Sequence, residues 1–281
     1  MYSRLLHSIL VIALIVSLPI TASARKIRGS GEVVTENRDV SGIDGVELAT
    51  IGTLHIEIGD TEKLTIEAED NLIEYFDTEV HGGTLVIDNN SRLSLHPRKP
   101  IRYFLTVKEL KDIEISSSGG IEAPDIKTER FRATISSSGN FQAGNLEVKS
   151  LDIRISSSGN VELGEVIAQD IEIDISSSGD VTLESLNAKM LIVDISSSGD
   201  IEIWGGHVDE QEVTINSSGD YMAKRLESNT AQVYSGSSGD ATIWVVEDLE
   251  ARLGSSGDVN YAGDPQVRER AGSSGRVRHI R

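Results

Sequence analysis

"DISSSGDVTLESLNAKMLIVDISSSGD", residues 174–200, begins and ends with the same seven letters. What lies between them decides the fold. With Gly179 as position zero, apolar side chains fall at +2, +4, +7, +9, +12, +14 and +16: Val181, Leu183, Leu186, Ala188, Leu191, Val193 and Ile195. Steps of two are the period of a strand with one buried face. The two steps of three, after Leu183 and after Ala188, mark corners where the chain turns and keeps its apolar side inward. Ser-Ser-Gly-Asp supplies a third corner. Three short strands joined by three corners predict a triangular coil.

The same pattern runs outward in both directions. Gly119, Gly139, Gly159, Gly179, Gly199, Gly219 and Gly239 come twenty residues apart, and Gly257 and Gly275 follow at eighteen. Self-similarity at a fixed period of this size signals a solenoid, whose repeats bury their apolar faces only by stacking on one another. The predicted fold is all-β, a parallel β-helix (β-solenoid) of about 20-residue coils. Ile135, Ile155, Ile175, Ile195 and Ile215 share position +16, and Ile121, Phe141, Val161, Val181, Ile201 and Tyr221 share +2. Large and small residues alternate where columns meet, as Phe141 does with Ala143 and Tyr221 with Ala223 and Ala241. A close-packed interior requires this, so the aromatics read as core.

Alternation inward from Ile195 turns Ser197 in and Ser196 and Ser198 out. Ser117, Ser137, Ser157, Ser177, Ser197, Ser217 and Ser237 therefore form one column, expected to pass hydroxyl hydrogen bonds from coil to coil. The glycine is expected to supply positive φ at the corner, and Asp or Asn at +1 to bond its own turn. A serine nucleophile does not fit. Catalysis needs one serine beside a base and an oxyanion site, and this motif recurs without an accompanying histidine.

Composition sets the boundaries. Residues 1–24 read as a secretory signal peptide, with Arg4, an apolar run from Leu5 to Leu18, Pro19 and a small-residue cleavage site at Ala22-Ser23-Ala24. The run is short of the ~20 residues of a spanning helix. The chain has no cysteine, which excludes disulfides and thiolate metal sites. Its formal charge is -19, and loss of Arg4 with the signal leaves 25 Lys and Arg against 45 Asp and Glu, or -20. Such a surface repels phosphate backbones, so no nucleic-acid partner is expected.

Residues 25–112 lack the serine motif but are strand-rich, and they are expected to form the first irregular coils and the N-terminal cap, with a short helix in "NLIEYFDTEV" (71–80). Regular coils are expected over 113–281, continuous with the cap as one domain. Arg268, Arg270, Arg276, Arg278 and Arg281 make the last segment basic and read as an edge-protecting cap, ahead of a docking patch for an acidic partner.

Three stretches, "GSGEVVTENRDVSGIDGVEL" (29–48), "LTIEAEDNLIEYFDTEVHGGTLVI" (64–87) and "KPIRYFLTVKELKDIEISSSG" (99–119), followed by the repeated "SSGD", resemble the auto-transporter adhesin family that carries the head GIN domain. The resemblance covers nearly the whole mature chain. It implies a right-handed β-helix-like fold and a surface or adhesive role, and it transfers no catalytic residue. No run of barrel-type strands follows the coils, so the expected role is that of a head domain or a free periplasmic protein.

Two sets of outward residues are candidate sites. Asp180, Asp200, Asp220, Asp240 and Asp258 make an acid column at +1, and hard cations such as calcium favour several carboxylate oxygens. Asn140 and Asn160 occupy the same column, so a turn hydrogen bond also accounts for the residue choice. Trp204 and Trp244 stand at +5 with Lys224 between them. Indoles two strand spacings apart, ~9.6 Å, could sandwich the lysine or present a platform to a sugar ring. The histidines His7, His55, His81, His96, His207 and His279 have no metal-ligand spacing. Two functions follow: a noncatalytic secreted module of the cell envelope, binding an envelope protein or glycan by adhesion or as a scaffold, or an enzyme on polysaccharide. Coils of constant length leave no loops to build a cleft, which favours the first. The expected location is the periplasm or the outer cell surface.

Overall fold

The structure, a computed structural model, describes residues 25–89, 93–272 and 274–281. The segment read as a signal peptide lies outside the described residues. From residue 112 onward the chain winds as a parallel β-solenoid. Ile113 pairs with Ala133, Ala133 with Ile153, and the series continues through Ile173, Val193, Val213 and Val233. Ala251 and Glu269 extend it at the shorter spacing.

Each coil has three faces. In the coil after Gly139 they are Phe141–Ala143, Leu146–Glu147 and Ser150–Ile155. In later coils the corners smooth out, and Val181–Ile195 and Tyr221–Ser235 run as continuous strands bent around the core. The inward columns are those the alternation predicts: Val181, Leu183, Leu186, Leu191, Val193 and Ile195 are buried, and Ala188 is half-buried. Phe131 and Phe141 meet inside with ring centroids 5.8 Å apart, each two residues before an alanine.

Three expectations at the serine corner need correction. First, the corner glycines have no positive φ, which among the described residues occurs at Gly31, Gly42, Gly52, Gly82, Gly83, Gly206 and Gly263. The repeat needs glycine because successive backbones nearly touch: a methyl group on Gly179 would lie 2.1 Å from the Gly159 carbonyl oxygen and 2.5 Å from Ile155 Cγ2. Second, the middle serines are half-buried as their orientation requires. Among the described residues, however, the bonds crossing this corner are not hydroxyl-to-hydroxyl. The Gly219, Gly239 and Gly257 N–H groups donate to the Ser197, Ser217 and Ser237 carbonyls. Third, the +1 side chain does not bond its own turn. Asn140 Oδ1 accepts from Asn160 N–H (3.1 Å), Asn160 from Asp180 (3.1 Å), Asp180 from Asp200 (2.9 Å), Asp200 from Asp220 (2.8 Å), Asp220 from Asp240 (2.9 Å) and Asp240 from Asp258 (2.7 Å). Each side chain thus fastens the coil above it. Asp and Asn are equivalent here because the acceptor is the oxygen both possess.

The N-terminal end is closed out of sequence order. Gly45–Leu48 and Thr53–Ile58 form a rung on the first regular coil, pairing with Asp112–Ile115 and Gly120–Ala123. The chain then passes outside this rung. Thr84–Asn89 and Arg102–Val107 stack on its far side, and Lys63–Glu69 pairs antiparallel with Arg102–Val107 and with Val33–Arg38. The expected helix at 71–80 is one three-residue 3₁₀ turn, Ile73–Tyr75, followed by the strand Phe76–His81. The signal for a hairpin is local: Gly82 and Gly83, both at positive φ, turn Phe76–His81 back onto Thr84–Asn89.

Both terminal edges put charge where the core columns would continue. At the N-terminal edge Arg38 and Glu36 stand opposite Leu64 and Ile66 and pair with each other at 3.3 Å. At the C-terminal edge Glu269 follows Ala251 in register, and the polar ring of His279 lies tilted at 45° against Tyr261, centroids 5.3 Å apart. An inward charge blunts an edge strand against pairing with another chain.

Candidate functional site

The acid column is built into the fold, as the ladder above describes. Its last member, Asp258, accepts from Arg276 N–H at 2.9 Å and pairs with the Arg278 guanidinium at 3.0 Å, while Arg268 reaches back to Asp248 at 3.1 Å. The basic final segment is clipped down by the acids of the coil beneath it. Among the described residues no three His, Asp or Glu side chains come together as a metal-binding group.

The tryptophan site differs from the expected geometry. Residues 239–257 hold two residues fewer than a full coil, and the deficit falls at the corner that carries Trp244. Ala223 pairs with Ile243, but the next pair is Glu227 with Trp244, which leaves Lys224, Arg225 and Leu226 without partners in the following coil. Trp244 is thereby carried past Lys224 and sits half-buried over Gly263, where an added methyl group would lie 3.0 Å from its Cδ1. The two indoles do not sandwich the lysine.

The slip is supported from within. Tyr221 Oη donates to Gln211 Oε1 (3.0 Å), Gln211 Nε2 donates to Ser228 Oγ (2.7 Å), and the serine hydroxyl donates to the Trp244 carbonyl (2.9 Å). All three side chains are buried. A fully satisfied internal chain of this kind fixes one register where the repeat pattern alone does not.

Trp204 and Lys224 do come together. With Glu202, Met222, Arg225 and Thr242 they line an open groove of about 500 Å³. Trp204 is 50 % exposed and Met222 40 %. The indole stands on a two-glycine corner. Gly206 has φ +116 and no room for a side chain beneath Leu186, and a methyl group on Gly205 would meet nothing closer than the Arg225 carbonyl at 3.8 Å. Met222, Arg225 and Glu202 are groove residues that column-reading missed. The signals were present in the Gly-Gly after Trp204 and in the eighteen-residue spacing after Gly239.

A second polar site holds the N-terminal closure. Glu69 is buried, and its carboxylate accepts from the backbone N–H groups of Gly31 (2.6 Å), Arg98 (2.7 Å) and Lys99 (3.3 Å). Burial pushes its pKa up, but the three backbone donors and the Arg98 charge outweigh that and hold it below the usual carboxylate range. Ser30 bonds Asp70 and Asn71, and a methyl group on Gly29 would collide with the Glu69 carboxylate. The "GSG" and "AED" stretches are two halves of one latch.

With this geometry established, comparison with known proteins places the chain. The family model described as "Putative auto-transporter adhesin, head GIN domain" matches residues 43–165 and 164–265. The chain belongs to this family. Solved structures of similar fold include a "putative adhesin" from Parabacteroides merdae, 18% identical with a TM-score of 0.69, covering 92% of this chain and all of its own. A "putative lipid binding protein" from Parabacteroides distasonis is 24% identical with a TM-score of 0.63, with the same coverages. A second P. distasonis protein, a "putative adhesin", is 19% identical with a TM-score of 0.65 and covers 91% of this chain and all of its own. At these identities the likeness is one of fold. No protein with a curated description matches. Membership in this family points to a noncatalytic binding module, and no helix among the described residues is long and apolar enough to cross a membrane.

Proposed function

We propose that the protein is exported through its N-terminal signal and acts in the periplasm or at the outer cell surface as a noncatalytic adhesion or scaffold module, holding an envelope protein or a glycan against its rungs. The observation that carries this reading is the constancy of the coils. From Gly119 to Gly239 every turn has the same length, so no long loop rises from one face to wall a reaction cleft. The +1 acids on that surface are engaged in fastening the stack. Rigid repeated faces instead offer an extended surface, as stacked-repeat proteins commonly do for partners. The names given to the proteins of similar fold, adhesin and lipid-binding protein, agree with such a role.

Cell fractionation followed by capture on immobilised mature protein tests the proposal. The expected result is recovery from periplasm or surface together with saturable retention of one envelope component. Retention in the cytoplasm, or bond cleavage across a panel of polysaccharides, would overturn it.

A further inference from the structure

We propose that the groove around Trp204 is a binding site for a carboxylated saccharide, one sugar ring stacking on the indole while Lys224 and Arg225 take its carboxylate. This rests on the binding-module reading above and gives it an address and a ligand class.

Four observations converge on this groove. Trp204 is the most exposed large apolar side chain of the described residues, at 50 %, and Met222 beside it adds a second apolar contact at 40 %. An aromatic face held open at the surface, with a soft thioether at its edge, suits the C–H face of a pyranose. Next, Lys224 and Arg225 are adjacent cations on a chain of charge -19, yet neither forms an ion pair among the described residues. Elsewhere on the coils Lys127, Arg132, Lys149, Arg154 and Arg268 are each matched to a carboxylate, while Arg130, Lys189 and Arg270 form no such pair among the described residues but line no groove with an exposed indole. Two unmatched cations in an acidic surface complement an anion, and a guanidinium is shaped to take a carboxylate through two parallel hydrogen bonds. Third, the register slip leaves these two residues without partners in the following coil, so the notch is part of the backbone plan. Last, Glu202 and Thr242 on the groove wall supply an acceptor and a hydroxyl for ring hydroxyl groups. Apolar side chains set beside convergent polar groups, here in about equal share, are a make-up suited to an amphipathic ligand such as a charged sugar. A neutral sugar would leave both cations unused, and a hydrocarbon chain would leave them desolvated.

Titration of the full chain with trigalacturonic acid and, separately, with neutral galactotriose tests this, read by calorimetry in every variant and also by tryptophan fluorescence in the unsubstituted chain, which has only Trp204 and Trp244. The acidic trisaccharide should perturb emission and bind at least about tenfold more tightly than the neutral one. Binding should weaken with salt and fall about tenfold or more in W204A and in K224Q/R225Q. W204F, which keeps a ring, guards against a folding defect in W204A and should retain part of the affinity. No saturation up to about 10 mM, equal binding of the two sugars, or tighter binding of hexaglutamate would each overturn the proposal. Capture of envelope material that survives W204A and K224Q/R225Q would sink the groove and leave the binding-module reading standing.

Discussion

The Ser-Ser-Gly-Asp corner and the N-terminal closure fasten the same stack by opposite means. At the corner one small device is used again at every coil: a glycine that lets backbones approach and an Asx oxygen that takes the N–H of the next rung. Its reach is one coil, and its failure at one position is local. The closure relies on single contacts between distant segments. Glu69 gathers three N–H groups from two loops, and Glu62 takes two, from Gly42 and Ile43. Repetition gives the body redundancy, whereas the end has none. The regular coils therefore tolerate loss of a rung contact better than the cap tolerates loss of one carboxylate.

The strongest way to break that contrast is G179A. Its methyl group meets the Gly159 carbonyl backbone at 2.1 Å, which no rotamer can relieve, so the substitution should cost about 3 kcal/mol in denaturant melts. A cost under about 1 kcal/mol would mean that the rungs can part without penalty. E69A should follow, costing about 2 kcal/mol, because it leaves three N–H groups facing an empty site. Proteolysis should then release segments around residues 29–38 before any coil is cut. Cleavage beginning in the coils would reverse the comparison.

Acid acts with opposite sign on the two carboxylates of the closure and on Asp194 of the coils. Glu69 and Glu62 are held below the usual range by backbone donors, so their contribution is present above about pH 4.3 and is lost as pH falls through their lower folded values. Asp194 runs the other way: burial and then the neighbouring Asp174 raise it, so it costs stability at neutral pH and the cost is relieved on acidification. Lowering pH below about 4 should therefore open the N-terminal end, seen as protease sensitivity, while tryptophan emission from the coils stays native. Simultaneous loss of both signals would refute the separation. Smaller still, D200A should cost about 1 kcal/mol and D200N almost nothing, since Asn140 and Asn160 already serve in that column. The smallest effect belongs to calcium. One oxygen of each column acid is already committed to the next rung, so added calcium should leave the melting temperature within about 1 °C. A saturable rise would show that the column holds cations as well.

What could be read from the sequence divides along the same line. Inward columns, corners and parallel offset follow from a period of twenty, because each coil must superimpose on the next. The corner chemistry was read only in part. Alternation turned the middle serine correctly, but nothing in a linear string says whether an Asp side chain reaches its own turn or the rung above. The same limit hid the reason for glycine, which is a contact between residues twenty apart and not a local torsion. Column-counting failed at Trp244 because a two-residue deficit shifts all that follows it within the coil, and the glycine spacing reports the deficit without placing it. The Glu69 latch was illegible, since it joins segments about forty residues apart through backbone groups that every residue possesses.

The +1 ladder has one more consequence. Every joint from Asn140 to Asp258 is made between one side-chain oxygen and the next rung's backbone, and no joint depends on which rung it is. A block running from one serine corner to the next could be duplicated or excised, and the new neighbours would meet through the same bond. The length of this molecule is thus a free parameter of its gene, adjustable in whole turns, while both finished ends remain as they are.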